Sequence, residues 1–371
     1  MAMIRWFGIA SAVLWLAAFA DEVSAAERRV PGDYPTIQAA IDAADPGDVI
    51  LLADGEYREN IDYRQKPVTV TSTRSPDRCI FTGAIIMDEI TGGTAVLRGI
   101  TFTGYYGQHG PSDPPPCAFR IWRADAVVDN CRFVDNGYET FYWGGAGILC
   151  CIDSHATFMD CVFNDNEKTF VWFSLYGMFE FIQSTVTMVR CEFNNNIDSN
   201  VIDVQESDFS MDNCTLTGNF SKNSGGAMSL NHTTLRLTRS AFTDNRTHQF
   251  GGAIHMEDML GAVIGGSAGN GNTFTGNTAY RGNDLVLLDQ KEWRINTRYN
   301  QFSGMPNFHY ILPMRKFDLQ YSTFEHAGVS ADRYVSPAGS DQNDGLTPDR
   351  PLKTIARAVY DLAPLHGTAV T

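Results

Sequence analysis

The phrase Phe133-Val-Asp-Asn136 recurs along this chain, and its recurrence decides the fold. The other copies are Phe163-Asn-Asp-Asn166, Phe193-Asn-Asn-Asn196, Leu216-Thr-Gly-Asn219, Phe242-Thr-Asp-Asn245 and Phe274-Thr-Gly-Asn277. Neighbouring copies lie 23 to 32 residues apart. A unit repeated at this period predicts a solenoid, in which each repeat forms one coil and the stacked coils share a continuous core.

Within each repeat, apolar and polar residues alternate with the period of a half-buried strand. The alternation slips by one residue at four equivalent places, where a strand that keeps its apolar side inward must turn a corner. These places are Asp129-Asn130, Val189-Arg190, Asp212-Asn213 and Thr238-Arg239. Each coil is therefore predicted to contain two strands joined by a sharp bend.

A further strand in several coils begins with a glycine pair, as in Gly225-Gly226-Ala227-Met228 and Gly251-Gly252-Ala253-Ile254. Glycine permits the backbone angles and the close approach that a tight corner requires. Equivalent residues would then stack at the strand spacing of roughly 4.8 Å, giving inward columns of Phe and Cys and a column of Asn amides at the turn. We predict an all-β, right-handed parallel β-helix, with the hand taken from the general rule for parallel crossovers.

The N-terminus has the pattern of a secretory signal peptide over residues 1–25. Arg5 precedes an apolar run from Trp6 to Ala20, and Val23-Ser24-Ala25 is a small-residue cleavage site. The run is short for a bilayer span. We therefore expect a secreted or cell-surface protein without a transmembrane helix in the mature chain.

A short helix is expected to follow and to cover the first coil of a β-helix domain spanning residues 27–328. Thr36 is a suitable N-cap, Ile37, Ala40 and Ile41 share one face, and Pro46-Gly47 ends the helix. Such a helix would protect the open core and the exposed strand edge at the end of a solenoid.

The overall charge restricts the partners. The chain carries 28 Lys and Arg against 43 Asp and Glu, a net charge of −15. Such a balance disfavours nucleic acid and anionic lipid.

Eight cysteines in an exported chain would ordinarily suggest disulfides. However, Cys131, Cys161, Cys191 and Cys214 occupy one inward offset, so we expect them to be buried free thiols. Cys150-Cys151, Cys79 and Cys117 remain open to bridging.

Two segments resemble known families. Tyr34-Pro-Thr-Ile-Gln-Ala-Ala-Ile41, followed by Pro46-Gly-Asp-Val-Ile50 and Asp54-Gly-Glu-Tyr57, resembles the opening of pectin-lyase-like β-helix proteins. The coils with Gly-Gly-Ala and Phe-x-x-Asn resemble the repeats of polymorphic outer-membrane proteins, which are surface adhesins. Together the resemblances cover residues 30–328. They imply the fold more than the activity, because this fold serves lyases, hydrolases and passive binding surfaces alike.

Residues 332–371 resemble the opening of a second β-helix. Tyr334-Val-Ser-Pro-Ala-Gly-Ser-Asp341 begins a turn-rich loop, and Pro351-Leu-Lys-Thr-Ile-Ala-Arg-Ala-Val359 would form another capping helix. One interpretation is a truncated second solenoid within a longer, multi-module protein, which we favour. The other is a helix that caps the far end of the first solenoid.

The candidate ligand site lies where the chain departs from its repeat, since loops on a rigid scaffold commonly carry function. Tyr138 and Lys168 follow equivalent corners one coil apart, so the aromatic segments that begin there should lie side by side. Exposed aromatic rings suit the C–H faces of sugars. The predicted aromatic wall consists of Tyr105, Tyr106, Tyr138, Tyr142, Trp143, Trp172 and Tyr176. The alternative is that these aromatics only pack the loops onto the sheet.

No catalytic set is intact. The resemblance implies either several calcium-binding Asp with an Arg or Lys base, or paired Asp with Gly-His-Gly. Gln108-His109-Gly110 is a partial match, and Arg120-Ile-Trp122 lacks the expected lysine. Asp135, Asp165 and Asp244 recur at turns and are explained structurally.

Two histidines complete the candidates. His232 and His255 are expected at comparable places in successive coils, where with Glu257 they could serve a metal or acid–base chemistry, although a solvated sheet face is the simpler interpretation. No metal or other cofactor is predicted, and calcium at the Asp/Asn turns is a weak alternative.

The sequence thus favours a rigid glycan-binding or adhesive surface, with a polysaccharide or cell-surface glycan as partner. The alternative is a polysaccharide lyase or glycoside hydrolase, and the sequence does not decide whether the protein is an enzyme. An enzyme would show acids and a basic group converging beneath the aromatic loops. A binding module would lack that convergence.

Overall fold

The structure, a computed structural model, describes residues 25–108, 117–139, 147–170, 177–198, 200–265, 267–280, 282–288, 295–296, 299–302, 309–310, 317–318, 333–341, 343 and 345–355. Over these residues the chain is a parallel β-helix, and every strand pairing between successive coils is parallel. The predicted signal peptide falls almost wholly outside the described residues. None of the helices described there is both long enough and apolar enough to span a bilayer.

The described strands form four sheets, which we call A to D. Sheet A contains twelve strands: β1 (Glu27–Val30), β2 (Val49–Leu52), β5 (Thr69–Ser72), β8 (Ala95–Arg98), β12 (Asp125–Asp129), β16 (His155–Met159), β20 (Thr185–Val189), β24 (Asp208–Asp212), β28 (Thr234–Thr238), β32 (Gly261–Ile264), β35 (Ile295–Asn296) and β38 (Phe317–Asp318). Sheet B contains ten: β3 (Gly55–Arg58), β6 (Cys79–Thr82), β9 (Thr101–Thr103), β13 (Arg132–Val134), β17 (Val162–Asn164), β21 (Glu192–Asn194), β25 (Thr215–Thr217), β29 (Ala241–Thr243), β33 (Thr273–Thr275) and β36 (Gln301–Phe302).

Sheets C and D complete each coil. Sheet C contains β4 (Ile61–Asp62), β7 (Ile85–Asp88), β11 (Phe119–Trp122), β15 (Leu149–Ile152), β19 (Phe179–Ile182), β23 (Ile202–Gln205), β27 (Met228–Asn231), β31 (Ile254–Glu257), β34 (Leu285–Leu288) and β37 (His309–Tyr310). Sheet D contains β10 (Tyr106–Gln108), β14 (Gly137–Glu139), β18 (Glu167–Phe170), β22 (Ile197–Asp198), β26 (Phe220–Ser221) and β30 (Arg246–Thr247). In the coils that contain a sheet D strand, the chain visits sheets A, B, D and C in that order.

The predicted inward columns are confirmed. Phe133, Phe163 and Phe193 pair in register, and their buried rings stack with centroids 5.0 and 4.5 Å apart. Such stacking adds to the burial of three large rings, because parallel offset rings attract one another. The register of the whole solenoid is thereby set, since a slip by one residue would turn these rings to solvent.

The corners between sheets A and B are also as predicted. Asn130, Arg190, Asn213 and Arg239 stand at the slips in the alternation, and all have left-handed backbone conformations with φ of 49 to 54°. One residue in this conformation reverses which side of the strand faces inward. The cost of that conformation is lower for Asn than for Arg, whose side chain is less suited to it.

The N-terminal cap is confirmed as well. Helix α1 (Ile37–Ala43) begins after Thr36, whose hydroxyl accepts a hydrogen bond from the Ala39 N–H. Ile37 and Ile41 are buried in the continuous core. The helix therefore closes the N-terminal end of the core.

The described part of the C-terminal segment forms a compact turn. Val335 makes a bridge with Leu352, and Asp341 accepts hydrogen bonds from the N–H groups of Lys353 and Thr354. The capping helix was predicted over residues 351–359, but Leu352 forms a bridge instead of a helical turn, and the part after Ile355 lies outside the described residues. Assignment of residues 332–371 to a second β-helix therefore stays a prediction.

Candidate functional site

Sheet D is held in place by a ladder of buried asparagines. Asn166 donates its side-chain amide to the Phe133 carbonyl and to the Asn196 side-chain oxygen, at 2.9 Å each. The same bonding continues from Asn136 to Asn277, as predicted. Five of the six sheet D strands begin directly after one of these asparagines, and β10 begins after Tyr105, whose N–H donates to the Asn136 side-chain oxygen at 3.1 Å. The side-chain amides donate hydrogen bonds to buried backbone carbonyls at each corner. They therefore fix the position at which each strand of sheet D leaves the core.

The predicted aromatic wall is partly described. Tyr105 is half-buried against the core, with its ring 6.0 Å from that of Phe102, and burial raises the pKa of its phenol. Tyr106 lies in β10 and Tyr138 in β14, where Tyr138 pairs with Gly107 on one side and Lys168 on the other. The predicted side-by-side placement of the segments beginning at Tyr138 and Lys168 is thus confirmed.

The other members of the predicted wall are Tyr142, Trp143, Trp172 and Tyr176, which lie outside the described residues. Tyr105 differs in role from the prediction, since much of its ring packs on the core instead of facing solvent. The wall as a ligand site stays a prediction.

Farther along sheet D, the structure reveals a surface that the sequence analysis missed. We call it the sheet D patch and define it as Phe220, Lys222, Arg246, His248 and Tyr280. Phe220 pairs with Arg246, and Arg246 makes a bridge with Thr278 in the next coil. Lys222, His248 and Tyr280 each follow two residues later, so they occupy equivalent positions on three successive coils. Lys222, Arg246, His248 and Tyr280 are exposed, the last to 73 %.

Side chains within the patch contact one another. The Arg246 guanidinium carbon lies 4.9 Å from the centre of the Phe220 ring, and the His248 ring meets the same ring edge-on at 5.2 Å. The connecting loops are tied together, because the Gln249 side chain donates to the Lys222 carbonyl at 3.3 Å. The patch is therefore an ordered surface of aromatic and cationic groups from neighbouring coils.

Arg246 differs electrostatically from the arginines at the corners of the solenoid. Arg190 pairs with Asp160 of the preceding coil, and Arg239 pairs with Asp212. In the described part of the chain, neither Arg246 nor Lys222 has a carboxylate within ion-pair distance. Their positive charges are therefore not paired with an acid of the described residues, although the chain as a whole is strongly acidic.

A second polar feature lies on the outer side of sheet C. Arg120, Cys150, Glu180, Asp203, Ser229 and His255 occupy one column by strand register. The Arg120 guanidinium pairs with Asp88, and Asp203 accepts hydrogen bonds from Asn200 and Gln205 at 3.3 and 3.2 Å. Glu180 is fully buried. Acids and a basic group therefore share a column, but Glu180 at its centre is too deeply buried for a polysaccharide chain to contact it.

The prediction about the two histidines was wrong. His255 pairs with Ser229, three residues away from His232, so the histidines do not stack. His255 also does not decorate a solvated face, because it is only 6 % exposed and burial lowers its pKa to about 4. Gly226 and Gly252 pack directly on the backbone of the next coil, so they mark equivalent positions. Three residues after each of them come Ser229 and His255, which pair with each other.

The cysteines divide as the sequence suggested. Cys131, Cys161, Cys191 and Cys214 are buried and free. Cys117 and Cys150 form a disulfide, whereas Cys79 and Cys151 are free. The bridge joins two successive coils at the start of sheet C.

The Asp/Asn turns offer no metal site in the part of the chain that the structure describes, where no cluster of three His, Cys, Asp or Glu residues could hold an ion. Asp135, Asp165 and Asp244 have left-handed backbones, with φ of 52 to 55°. Their role as turn residues is confirmed.

The comparisons with known proteins agree with this architecture. Residues 93–242 match the family described as right-handed β-helix region, in accord with the predicted right hand. Among curated proteins, the search found no match. Three solved structures are similar over much of the chain. The PL6-family alginate lyase AlyGC has 12 % identity, a TM-score of 0.32 and coverage of 79 % of this chain and 50 % of its own.

The second is an alginate lyase from Paenibacillus sp. strain FPU-7, with 14 % identity, a TM-score of 0.30 and coverage of 74 % and 94 %. The third is the pectate lyase Pel9A, with 12 % identity, a TM-score of 0.28 and coverage of 84 % and 86 %. This chain thus spans about half the length of AlyGC. The parallel pairing of the strands and the family match over residues 93–242 show that the protein is a right-handed parallel β-helix.

Proposed function

We propose that the protein is a secreted or cell-surface β-helix that binds glycans on the outer face of sheet D. The observation that carries the proposal is the sheet D patch, in which Phe220 contacts Arg246 and His248, and the Tyr280 side chain is exposed on the next coil of a register-fixed surface. Exposed aromatic rings are suited to the C–H faces of sugars, and a preformed surface loses little conformational entropy on binding. The predicted wall, beginning at Tyr106 and Tyr138, would extend this surface along the same sheet.

Two further observations support export and surface presentation. The Cys117–Cys150 disulfide fits an oxidising compartment, where such bonds persist. A regular solenoid is also a stiff support, because each coil is fixed by its neighbours. An adhesive role like that of the polymorphic outer-membrane proteins, and membership of a longer chain with further β-helix modules, belong to the same proposal.

A glycan array tests this proposal. The protein is applied to neutral and charged glycans, and both retention and new reducing or unsaturated ends are scored. Tyr280→Ala should weaken retention about tenfold, which corresponds to about 1.4 kcal/mol. Val263→Ala, at an exposed position in sheet A, is the matched control and should leave binding unchanged. Equal retention by the wild type and Tyr280→Ala would contradict the proposal.

The second candidate function is a polysaccharide lyase or hydrolase. It is favoured by the column on sheet C, where Glu180 and Asp203 lie in adjacent coils and Arg120 two coils away. Burial argues against it, because an acid or base must contact the scissile region of its substrate. New chain ends in the array, abolished by Asp203→Asn, would establish this alternative.

A further inference from the structure

Two hydrogen-bond donors of the sheet D patch contact one aromatic ring, and a third follows that ring along the chain. Arg246 lies over Phe220, His248 meets the ring edge, and Lys222 follows Phe220 by two residues in the same coil. Three different donors thus come from two successive coils. A stacked guanidinium keeps its N–H edge free, and stacking limits the rotamers that would otherwise be lost on binding.

No acid in the described residues competes for these donors. Asp244 is two residues before Arg246, but its side chain lies against Gly276 of the following coil and makes no ion pair with Arg246. Elsewhere in the described solenoid, corner arginines are matched by aspartates, as Arg190 is by Asp160. The excess positive charge is therefore local to the patch, on a protein whose total charge repels anions.

The number and placement of the hydrogen-bond donors in the patch indicate which kind of anion it fits. A planar carboxylate has two oxygens, which a single guanidinium can satisfy in a bidentate pair. A sulfate or phosphate monoester has three terminal oxygens arranged as a tripod, and it can accept from several donors at once. The Arg246 guanidinium and the His248 imidazole at one ring, with Lys222 two residues after that ring, offer several separate donors, which match a tripod of oxygens better than a planar carboxylate.

We propose that the sheet D patch is a subsite for a tetrahedral oxyanion, a sulfate or phosphate monoester carried by the bound glycan. This inference rests on the glycan-binding function proposed above. The sugar that bears the ester would lie toward Tyr280, whose ring is exposed one coil beyond His248. Arg246 would supply the bidentate contact, and Lys222 and His248 the remaining donors.

The test compares matched oligosaccharides by titration calorimetry with the full chain. The probes are one oligosaccharide backbone in unmodified, sulfated and phosphorylated forms, together with a polygalacturonate oligosaccharide that carries carboxylates. The variants are Arg246→Gln, Arg246→Lys and, as control, Arg236→Gln, which removes an exposed arginine of sheet A. Circular dichroism and thermal unfolding verify that each variant is folded.

We expect the sulfated or phosphorylated form to bind at least tenfold more tightly than the unmodified backbone. Arg246→Gln should abolish that preference, Arg246→Lys should reduce it about fivefold, and Arg236→Gln should preserve it. Whichever ester, sulfate or phosphate, increases the affinity more over the unmodified backbone is the group that the subsite prefers.

Three results would overturn the inference. Equal affinity for esterified and unmodified glycans would refute the oxyanion subsite while leaving glycan binding intact. Equally tight, Arg246-dependent binding of polygalacturonate would refute the tetrahedral assignment. Failure of every glycan to bind would refute the proposed function and, with it, this subsite.

Discussion

The Asn ladder ends in a carboxylate, and this ending should make the stability of the solenoid depend on pH. Asn277 donates its side-chain amide to Asp284 at 3.0 Å instead of to a further asparagine. Asp284 is 7 % exposed, and burial raises its pKa from 3.8 to about 6. Because the pKa is raised in the folded state, the stability supplied by the protonated form is complete below about pH 4 and is lost as pH rises through about 6.

The magnitude follows from the shift. About two pKa units at 1.36 kcal/mol each give roughly 3 kcal/mol that ionisation of Asp284 costs the folded state above pH 7. Asp284→Asn keeps an oxygen that can accept from Asn277 and removes the charge. Its new amide donors need partners, which reduces the gain. We therefore expect Asp284→Asn to be about 1 to 3 kcal/mol more stable than the wild type at pH 8 and equally stable at pH 4.

Urea unfolding at pH 4, 5, 6, 7 and 8 measures this difference, followed by tryptophan fluorescence and by hydrogen exchange of the coil containing β34. The control is Asp208→Asn, which removes one negative charge from an exposed position in sheet A. A stability difference that stays constant from pH 4 to 8, or that is matched by Asp208→Asn, would refute the reasoning.

Three more predictions follow from the same contacts. Burial lowers the pKa of His255 to about 4, so the stability that depends on its neutral form is complete above about pH 6.5 and is lost as pH falls through 4. His255→Met cannot be protonated and should therefore reduce this acid-induced loss by about 3 kcal/mol, as measured by urea unfolding at low pH. Asn196→Ala should cost about 3 to 5 kcal/mol in urea unfolding, because several buried polar groups lose partners, whereas exposed Glu192→Ala should cost less than 0.5. Removing the Cys117–Cys150 bridge by a double Ser substitution should lower stability by about 2 to 4 kcal/mol, a loss that dithiothreitol should reproduce in the wild type but not in the variant.

The interior of this protein could be predicted from its sequence because in-register stacking places equivalent residues of every coil in the same buried environment. Phe133, Phe163 and Phe193 meet the same surroundings, so one residue type recurs at one offset and reveals the column. The ladder asparagines are equally constrained, since each must satisfy the backbone of a neighbouring corner.

The sheet D patch left no comparable signal. The first residue after each ladder asparagine differs in chemical type from coil to coil: it is Gly137, Glu167, Ile197, Phe220, Arg246 or Thr278. Aligning the coils on Asn219, Asn245 and Asn277 would have placed Lys222, His248 and Tyr280 together. Their chemical types differ, however, so a search for repeated residues passes over them.

The disulfide and His255 were beyond the sequence for a different reason. Cys117 and Cys150 occupy different offsets in their coils, because Cys150 pairs with Arg120, so no column of like residues marks the pair. His232 and His255 lie near the ends of their strands, where the loops differ in length between coils. The glycine pairs are a better guide to the register of sheet C, because Gly226 and Gly252 contact the backbone of the next coil directly.

The contrast between Arg190 and Arg246 connects the fold to its proposed use. At the corner, Arg190 forms an ion pair with Asp160, so its charge is neutralised within the solenoid. Such an exposed pair contributes little to stability. On sheet D, Arg246 rests on an aromatic ring, and no acid within the described ranges lies at ion-pair distance from it. The fold does not need that charge, because β30 is held by its parallel pairing with β26 and by the asparagine ladder. A cation that stability does not require, held in an ordered position on an acidic protein, is best explained by a ligand that brings the opposite charge.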